Sequence, residues 1–470
     1  MNSKQCSGYE PVAGLSRRQL LSRMGMGLGS IALADLVAGQ SSADDRTHFK
    51  PRAKRVIYLF QSGAPSQMDL FDYKPVLNQK HGTQLPEEVR KGQRLTAMSG
   101  NQASLPLAGT PFKFQQHGDG GTWISEILPH TAGIANDICV IKSMYTEAIN
   151  HGPAVTYLQT GSQFPGRPSM GAWLKYGLGS ENENLPAFVV MVSKNKGGQP
   201  LVSRLWGSGF LPSTFQGVRF RSGSDPVLYL KNPAGIDSRS RQLMLARLRE
   251  LHQLDLDKSA DPQLESRIQQ YELAYRMQRS VPEAVNLAGE TAATQKLYGI
   301  DNKTTAVYGR RLLAARRLAE RGVRYSLVYL SDYGEWDSHN KLQELHARSC
   351  ARVDRPIAGL LKDLKQRGLL DSTLVVFGTE FGRTPGAQVT GRDHHPQGFT
   401  CWLAGGGIQG GITHGATDEL GFYAVEHPHY VTDIHATVLR QLGLDSHQLE
   451  LPGRKRIDIH RGRPIQEIIA

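Results

Sequence analysis

The chain has 470 residues, 39% hydrophobic and 21% charged, with 50 glycines. That is the make-up of a loop-rich globular protein with a sizeable core, and it excludes a disordered chain. The formal charge of +12 suits phosphate, sulfate or polyanionic glycans; the arginines, however, are scattered or ride on helical stretches such as "RRLLAARRLAERG" without interleaved aromatics, which argues against nucleic acid.

At the N-terminus, "LSRRQLLSRMGMGLGSIALADLVAG" carries Arg17 and Arg18, then Leu20 and Leu21, then a glycine-rich apolar run. That run, of about 15 residues, is too short and too weakly hydrophobic to span a bilayer. It looks like a twin-arginine export signal over residues 1–43, with cleavage after Gly39 or Ala43. A periplasmic or extracellular protein with no transmembrane segment after signal removal is the expectation. Cys6 would leave with the signal, and the widely spaced Cys139, Cys350 and Cys401 form no CxxC. They read as buried free thiols, with a Cys139–Cys401 bond as the alternative in an oxidising compartment.

After a polar linker, residues 44–53, "KRVIYLFQSGAPS" reads as a buried strand ending in a turn. Similar strands occur in "DICVIKSM", "LPAFVVMVS", "VRYSLVYLSDYGEWDSH", "STLVVFGTEFGRTP" and "FTCWLAGGGI", most of them preceded by helical periodicity. This alternation predicts an α/β domain over 54–470, a mostly parallel sheet with helices on both faces. Residues about 236–320 hold successive helical patterns and read as a helical insertion. Ligands of such sheets bind beyond the carboxyl ends of the strands, so the residues just after each strand carry the functional weight.

Those residues are rich in His, Asp and Glu. Early in the chain, "NHGPAVTYLQTG" reads as a polar loop turning at Pro153 into a short helix, with Leu158 inward and Gly161 stopping it. After "VRYSLVYL", Asp337 and His339 stand two apart, and Glu335 is four from His339. After "TLVVFGT", Glu380 sits at the tip of an apolar strand, where its carboxylate needs a partner or a metal, and Arg383 is close by. Then "GRDHHP" places Asp393, His394 and His395 in a row. Adjacent residues of an extended backbone face opposite ways, so one of the two histidines should face the site. A mixed set of imidazoles and carboxylates, Asp337, His339, Glu380, His394 and His395, suits a divalent metal, zinc or manganese rather than calcium.

These motifs resemble an exported, sulfatase-like family of unknown function (domain of unknown function 1501) within the alkaline phosphatase/sulfatase superfamily. The resemblance rests on "FQSGAPSQMDLFDYKP", "NHGPAVTYLQTG", "WDSH", "GTEFGRTP", "GRDHHPQGF", "LAGGGIQGGITHGATDE" and "VTDIHATVLRQLGLD", and spans roughly residues 54–447. It implies an alkaline-phosphatase-like fold and a metal site built around a reactive residue. Overlaid on the sulfatase nucleophile loop, Pro153, Leu158, Thr160 and Gly161 keep the frame, and His151 occupies the nucleophile position, so formylglycine cannot form there. Ser62 and Gly63 stand where the superfamily has acidic ligands, with Asp69 and Asp72 shortly after. In "TEFG", Glu380 keeps the acid and Phe381 replaces an imidazole or amide. One metal position thus looks intact and the other depleted.

Two functions are expected on these grounds. The first is metal-dependent hydrolysis of a small-molecule or glycan phosphate or sulfate ester, with His151 as acid, base, nucleophile or ligand, Arg383 gripping the substrate anion, and Ser66, Asp69, Asp393 or Thr146 as further participants. The second is a non-catalytic protein that binds an anionic glycan or a partner in the same cleft. Oligomeric state has no signature in the sequence.

Overall fold

The strand "RVIYLF" is apolar on both sides, and the fold shows why. In the computed structural model, Ile57 and Leu59 enter one hydrophobic core while Val56, Tyr58 and Phe60 enter another, on the opposite face of the same strand. The structure describes residues 46–90, 100, 102, 104–192, 202–221, 226–228, 230–259, 262–330, 335–449, 451 and 462–470. The chain divides into Met1–Thr47 and His48–Ala470. The export signal expected at 1–43 lies outside the described residues, and the sheet and its helices belong to the second unit.

The central sheet is built from β1 (Arg55–Phe60), β2 (Ile138–Tyr145), β3 (Phe188–Met191), β4 (Val218–Phe220), β5 (Tyr325–Tyr329), β6 (Thr373–Gly378), β9 (Phe399–Ala404), β10 (Ile412–His414) and β11 (His429–Tyr430); a separate hairpin joins β7 (Gly382–Gln388) to β8 (Gly391–His395). The order across the sheet is β10-β2-β9-β6-β1-β5-β3-β4, with β11 also on β2. β1 pairs in parallel with β5 and β6, and only β9 runs against its neighbours β2 and β6. The expected mostly parallel α/β sheet is therefore observed. Its central strands are buried, apart from Arg55 at the start of β1, because helices cover both faces.

One face is covered by α6 (Ala306–Glu320) and α7 (Leu342–Gln366), through Leu312, Leu313, Leu318, Val353, Ile357 and Leu361. The other is covered by α2 (His151–Thr160), α3 (Met170–Leu178) and α8 (Asp433–Gln441), through Val155, Leu158, Trp173, Leu174, Val438 and Leu439. Each such side chain contributes about 1.5–3 kcal/mol of apolar burial. Before them stands the short α1 (Gln67–Leu70), and between β4 and β5 lie α4 (Ser238–Ser259) and α5 (Pro262–Val285). α4 leaves Leu243, Leu251 and Leu254 exposed, whereas α5 reaches the core with Met277, Val281 and Ala284. α6, at the end of the 236–320 stretch, is one of the sheet's own covering helices.

Some of the basic residues are internal and paired with acids. Arg316 is buried among Glu290 at 2.6 Å, Glu320 at 2.8 Å and Asp363 at 2.9 Å. Cys139, Cys350 and Cys401 are buried free thiols, and burial pushes the Cys139 thiol up to about 12. Among the described residues no helix is long and apolar enough to cross a membrane.

Candidate metal centre

Three strand ends, one helix start and the β7–β8 hairpin, which carries His394, build the site. β1 ends in Gln61-Ser62-Gly63-Ala64, β5 leads toward Asp337, β6 leads to Glu380, and α2 begins at His151. The helix therefore starts two residues before the expected turn at Pro153. Proline is tolerated there because the first-turn N–H groups have no intrahelical partner. At the other end Gly161, at φ 69°, caps the helix by donating its N–H to Tyr157 O at 2.7 Å.

One carboxylate oxygen is the hub. Asp337 Oδ1 lies 3.0 Å from His339 Nε2, 3.3 Å from His151 Nε2, 3.4 Å from His394 Nε2 and 2.7 Å from Arg383 Nη2. Burial alone would raise the Asp337 carboxyl, but the His151, His339 and His394 imidazoles and the Arg383 guanidinium gathered on it hold it far below the usual carboxylate range. Ligand atoms held about 2.0–2.1 Å from a tetrahedral ion stand roughly 3.3–3.4 Å from one another. The hub distances are of that size.

The far side of each imidazole is also fixed. His151 Nδ1 donates to Glu380 Oε1 at 2.7 Å, His394 Nδ1 donates to Ile149 O at 2.8 Å, and His339 Nδ1 donates to Gln388 Oε1. An acceptor on Nδ1 places the proton there and leaves Nε2 as the ligand atom, the arrangement that orients metal-binding histidines. His151, Asp337 and His394 form one group able to hold an ion, and His339, Asp393 and His394 an overlapping one, with ligand atoms within 4.8 Å of one another. Burial pushes His394 down to about 4, so its imidazole is neutral at neutral pH. Burial would lower His151 too, but its bonds to Asp337 and Glu380 outweigh that and raise it. Phe381 packs its ring against both His151 and His394, with centroids 4.9 and 4.8 Å away. Asp337 and His339 are half-buried, whereas His151 and His394 are buried, so the centre opens on the Asp337 and His339 side.

Three expected roles change. Arg383 is not a hand extended to substrate: fully buried, it donates to Ala64 O, Gly63 O and Arg392 O as well as to Asp337. Its guanidinium fixes Asp337 and the end of β1, and Gly63 can serve there because its φ of 105° suits glycine. Glu380 is not turned to the hub as a ligand. It accepts from Gly63 N–H at 2.8 Å, Thr379 Oγ1 at 3.0 Å and His151, and so stands behind that imidazole. His395 faces away and donates to Phe422 O, because a bulge between Arg392 and His394 and the alternation of the hairpin send the two neighbours to opposite sides.

The remaining candidates lie around this centre in supporting networks. Asp393 accepts the His394 N–H at 2.8 Å and lies 3.8 Å from His339 Nδ1. Ser66 donates its hydroxyl to Asp69, and Asp69 pairs with Arg392 at 2.8 Å, in a buried network that includes His346 on the Ser66 N–H. Thr146 is buried. Glu335 pairs with Arg352. Asp72 is bonded to Lys74, Lys142 and Thr417. Gln388 has no signal in the sequence, since it lies 49 residues from the histidine that it orients. Gln388→Leu should weaken metal binding by about 10- to 100-fold at unchanged fold, read by chelator competition.

His346 and His395 make the fold acid-sensitive. Burial pushes them down to about 3 and about 4, below the ordinary histidine value near 6.5. The unfolded chain then binds protons that the folded one excludes. Stability is present above pH of about 6.5 and is lost as pH falls toward 4, at about 1.4 kcal/mol per unit for each histidine. Urea midpoints at pH 7, 6 and 5 check this, and His346→Gln should flatten the slope.

The model of a family described as "Protein of unknown function (DUF1501)" matches residues 53–469. No curated protein matches the chain. Among solved structures, the chain is similar to the phosphonate monoester hydrolase SpPMH from Silicibacter pomeroyi, with 12% identity, coverage of 88% of this chain and 76% of that one, and a TM-score of 0.36. It is also similar to the PsFucS1 sulfatase from Pseudoalteromonas sp., at 13%, 89%, 71% and 0.36. A protein of the alkaline phosphatase superfamily from Vibrio parahaemolyticus gives 10%, 90%, 72% and 0.37. The activities in those names belong to those proteins.

Proposed function

The chain belongs to the DUF1501 family, described as of unknown function, and from that premise we propose that it is an exported, metal-dependent hydrolase of phosphate or sulfate esters, those of anionic glycans included, that works without formylglycine. The observation that carries this reading is the convergence of three imidazole Nε2 atoms on Asp337 Oδ1, each imidazole held from behind by an oxygen acceptor.

Asp337 and His394, which belong to the group of His151, Asp337 and His394, would hold zinc or manganese together with His339, whose Nε2 reaches the same Asp337 oxygen at 3.0 Å. Nitrogen and oxygen donors of this kind suit those ions better than calcium, which takes six to eight oxygens. Bound there, a divalent ion supplies Lewis acidity toward an ester oxygen and eases deprotonation of water. The protein's own chemistry lies in His151. Its Nε2 faces the hub and its Nδ1 is held by the buried Glu380, the base-and-orienter pairing that lets an imidazole take up a proton and remain charged. The raised pKa of His151 fits that task, and the lowered one of His394 fits a ligand. Arg383 keeps Asp337 ionised and in place.

The experiment is turnover of aryl phosphate and aryl sulfate panels by exported protein, before and after chelation and with zinc or manganese restored. Activity on one panel that chelation abolishes and metal restores supports the reading. Protein that retains metal but turns over neither panel leaves the cleft as a binding site, and protein that holds no metal overturns both the ion and the hydrolase.

A further inference from the structure

At the edge of the sheet, among residues that the centre at Asp337 does not use, two imidazoles meet nitrogen to nitrogen. His414 closes β10 opposite Ile141 of β2, and His429 opens β11 opposite Met144 of the same strand. Their Nε2 atoms are 2.8 Å apart and their rings lie 5.0 Å apart at 30°. At that distance the N–H of one ring donates to the lone pair of the other, and an ion would take the place of that proton with the two nitrogens drawn apart to roughly 3.3–3.4 Å. Glu467 brings a carboxylate to the same place, with the three ligand atoms within 4.8 Å of one another.

We propose that His414, His429 and Glu467 form a second divalent-metal site, of the zinc class, which fastens the C-terminal turn to the sheet edge. Two imidazoles and one carboxylate select zinc over magnesium or calcium, and the exposed side of Glu467 leaves room for water to complete four-coordination. The surroundings are built for it. Asp433 Oδ2 lies 3.6 Å from His429 Nδ1, on the side that would turn Nε2 to an ion. The His427 ring stacks on His414 at 5.1 Å, and its backbone is held at φ 44°, unusual for a residue with a side chain, while Ser143 Oγ donates to its carbonyl at 2.6 Å. Glu467 is held from below. Ile468 is fully buried and its carbonyl accepts the Gln409 N–H at 2.9 Å, and Ala470 N–H donates to Gly407 O at 3.0 Å.

This site shares no residue with the centre at Asp337, so the two proposals fail separately. Full-length mature protein is stripped with chelator and titrated with zinc alone. The parent should take up two equivalents at low micromolar zinc, Asp337→Ala one, and Asp337→Ala combined with His429→Ala none. Glu467→Gln, at an exposed position, should weaken uptake of the second equivalent at least tenfold while the protein stays folded. Zinc should also slow amide exchange of residues 462–470 in Asp337→Ala, and not in the double variant. Zinc uptake by Asp337→Ala that His429→Ala leaves intact, or that needs millimolar zinc, overturns the proposal. A parent that binds one equivalent, still present in Asp337→Ala, upholds it and sinks the centre at Asp337 instead.

Discussion

Asp337→Ala is expected to abolish occupation of the main centre, with metal affinity falling by more than the roughly 10- to 100-fold that loss of an orienting partner costs. The reason is that one oxygen of Asp337 serves three imidazoles and Arg383 at once. The same substitution leaves the fully buried Arg383 without its carboxylate. Loss of one partner from a buried pair costs about 3–5 kcal/mol. Asp337 is half-buried and Arg383 keeps its carbonyl acceptors, so about 2–3 kcal/mol is expected here. Metal analysis and urea denaturation read the two effects apart, and Asp337→Asn, which keeps the shape and loses the charge, should show the same loss of metal. Full metal content in Asp337→Ala would remove the residue from the centre.

His151→Ala should leave the metal of the main centre in place and lower turnover by about 10²–10⁴, the contribution of a positioned acid or base. Glu380 then loses one of its three hydrogen-bond donors in a buried position, for about 1–3 kcal/mol of stability. Equal turnover by parent and variant under saturating metal would take His151 out of the mechanism. Metal lost along with turnover would make it a ligand instead of the base.

The sheet was legible because its strands are apolar on both sides, as "RVIYLF" and "TLVVFG" are, and because turn residues close each one. The strand-end histidines and carboxylates stood out for a similar reason, since Glu380 comes two residues after such a strand's end and Asp337 and His339 come eight and ten residues after another's. What the sequence concealed was what each polar group faces. Arg383 looks like any arginine beside a site, and only the folded loop around Gly63 and Ala64 shows its donors turned onto backbone carbonyls. His394 and His395 are chemically equal in sequence, and the bulge in β8 decides between them. The pair His414 and His429 is set by strand register along β2, which periodicity does not report, and Glu467 joins it from the far end of the chain.

The most direct test of the main centre is anomalous diffraction at the zinc edge from crystals of zinc-loaded protein. The expected result is a peak about 2.0–2.1 Å from Asp337 Oδ1, His339 Nε2 and His394 Nε2, with His151 Nε2 facing the fourth position. A density map with no peak among these three atoms, or with a peak bonded to Nδ1 of either histidine, would contradict it.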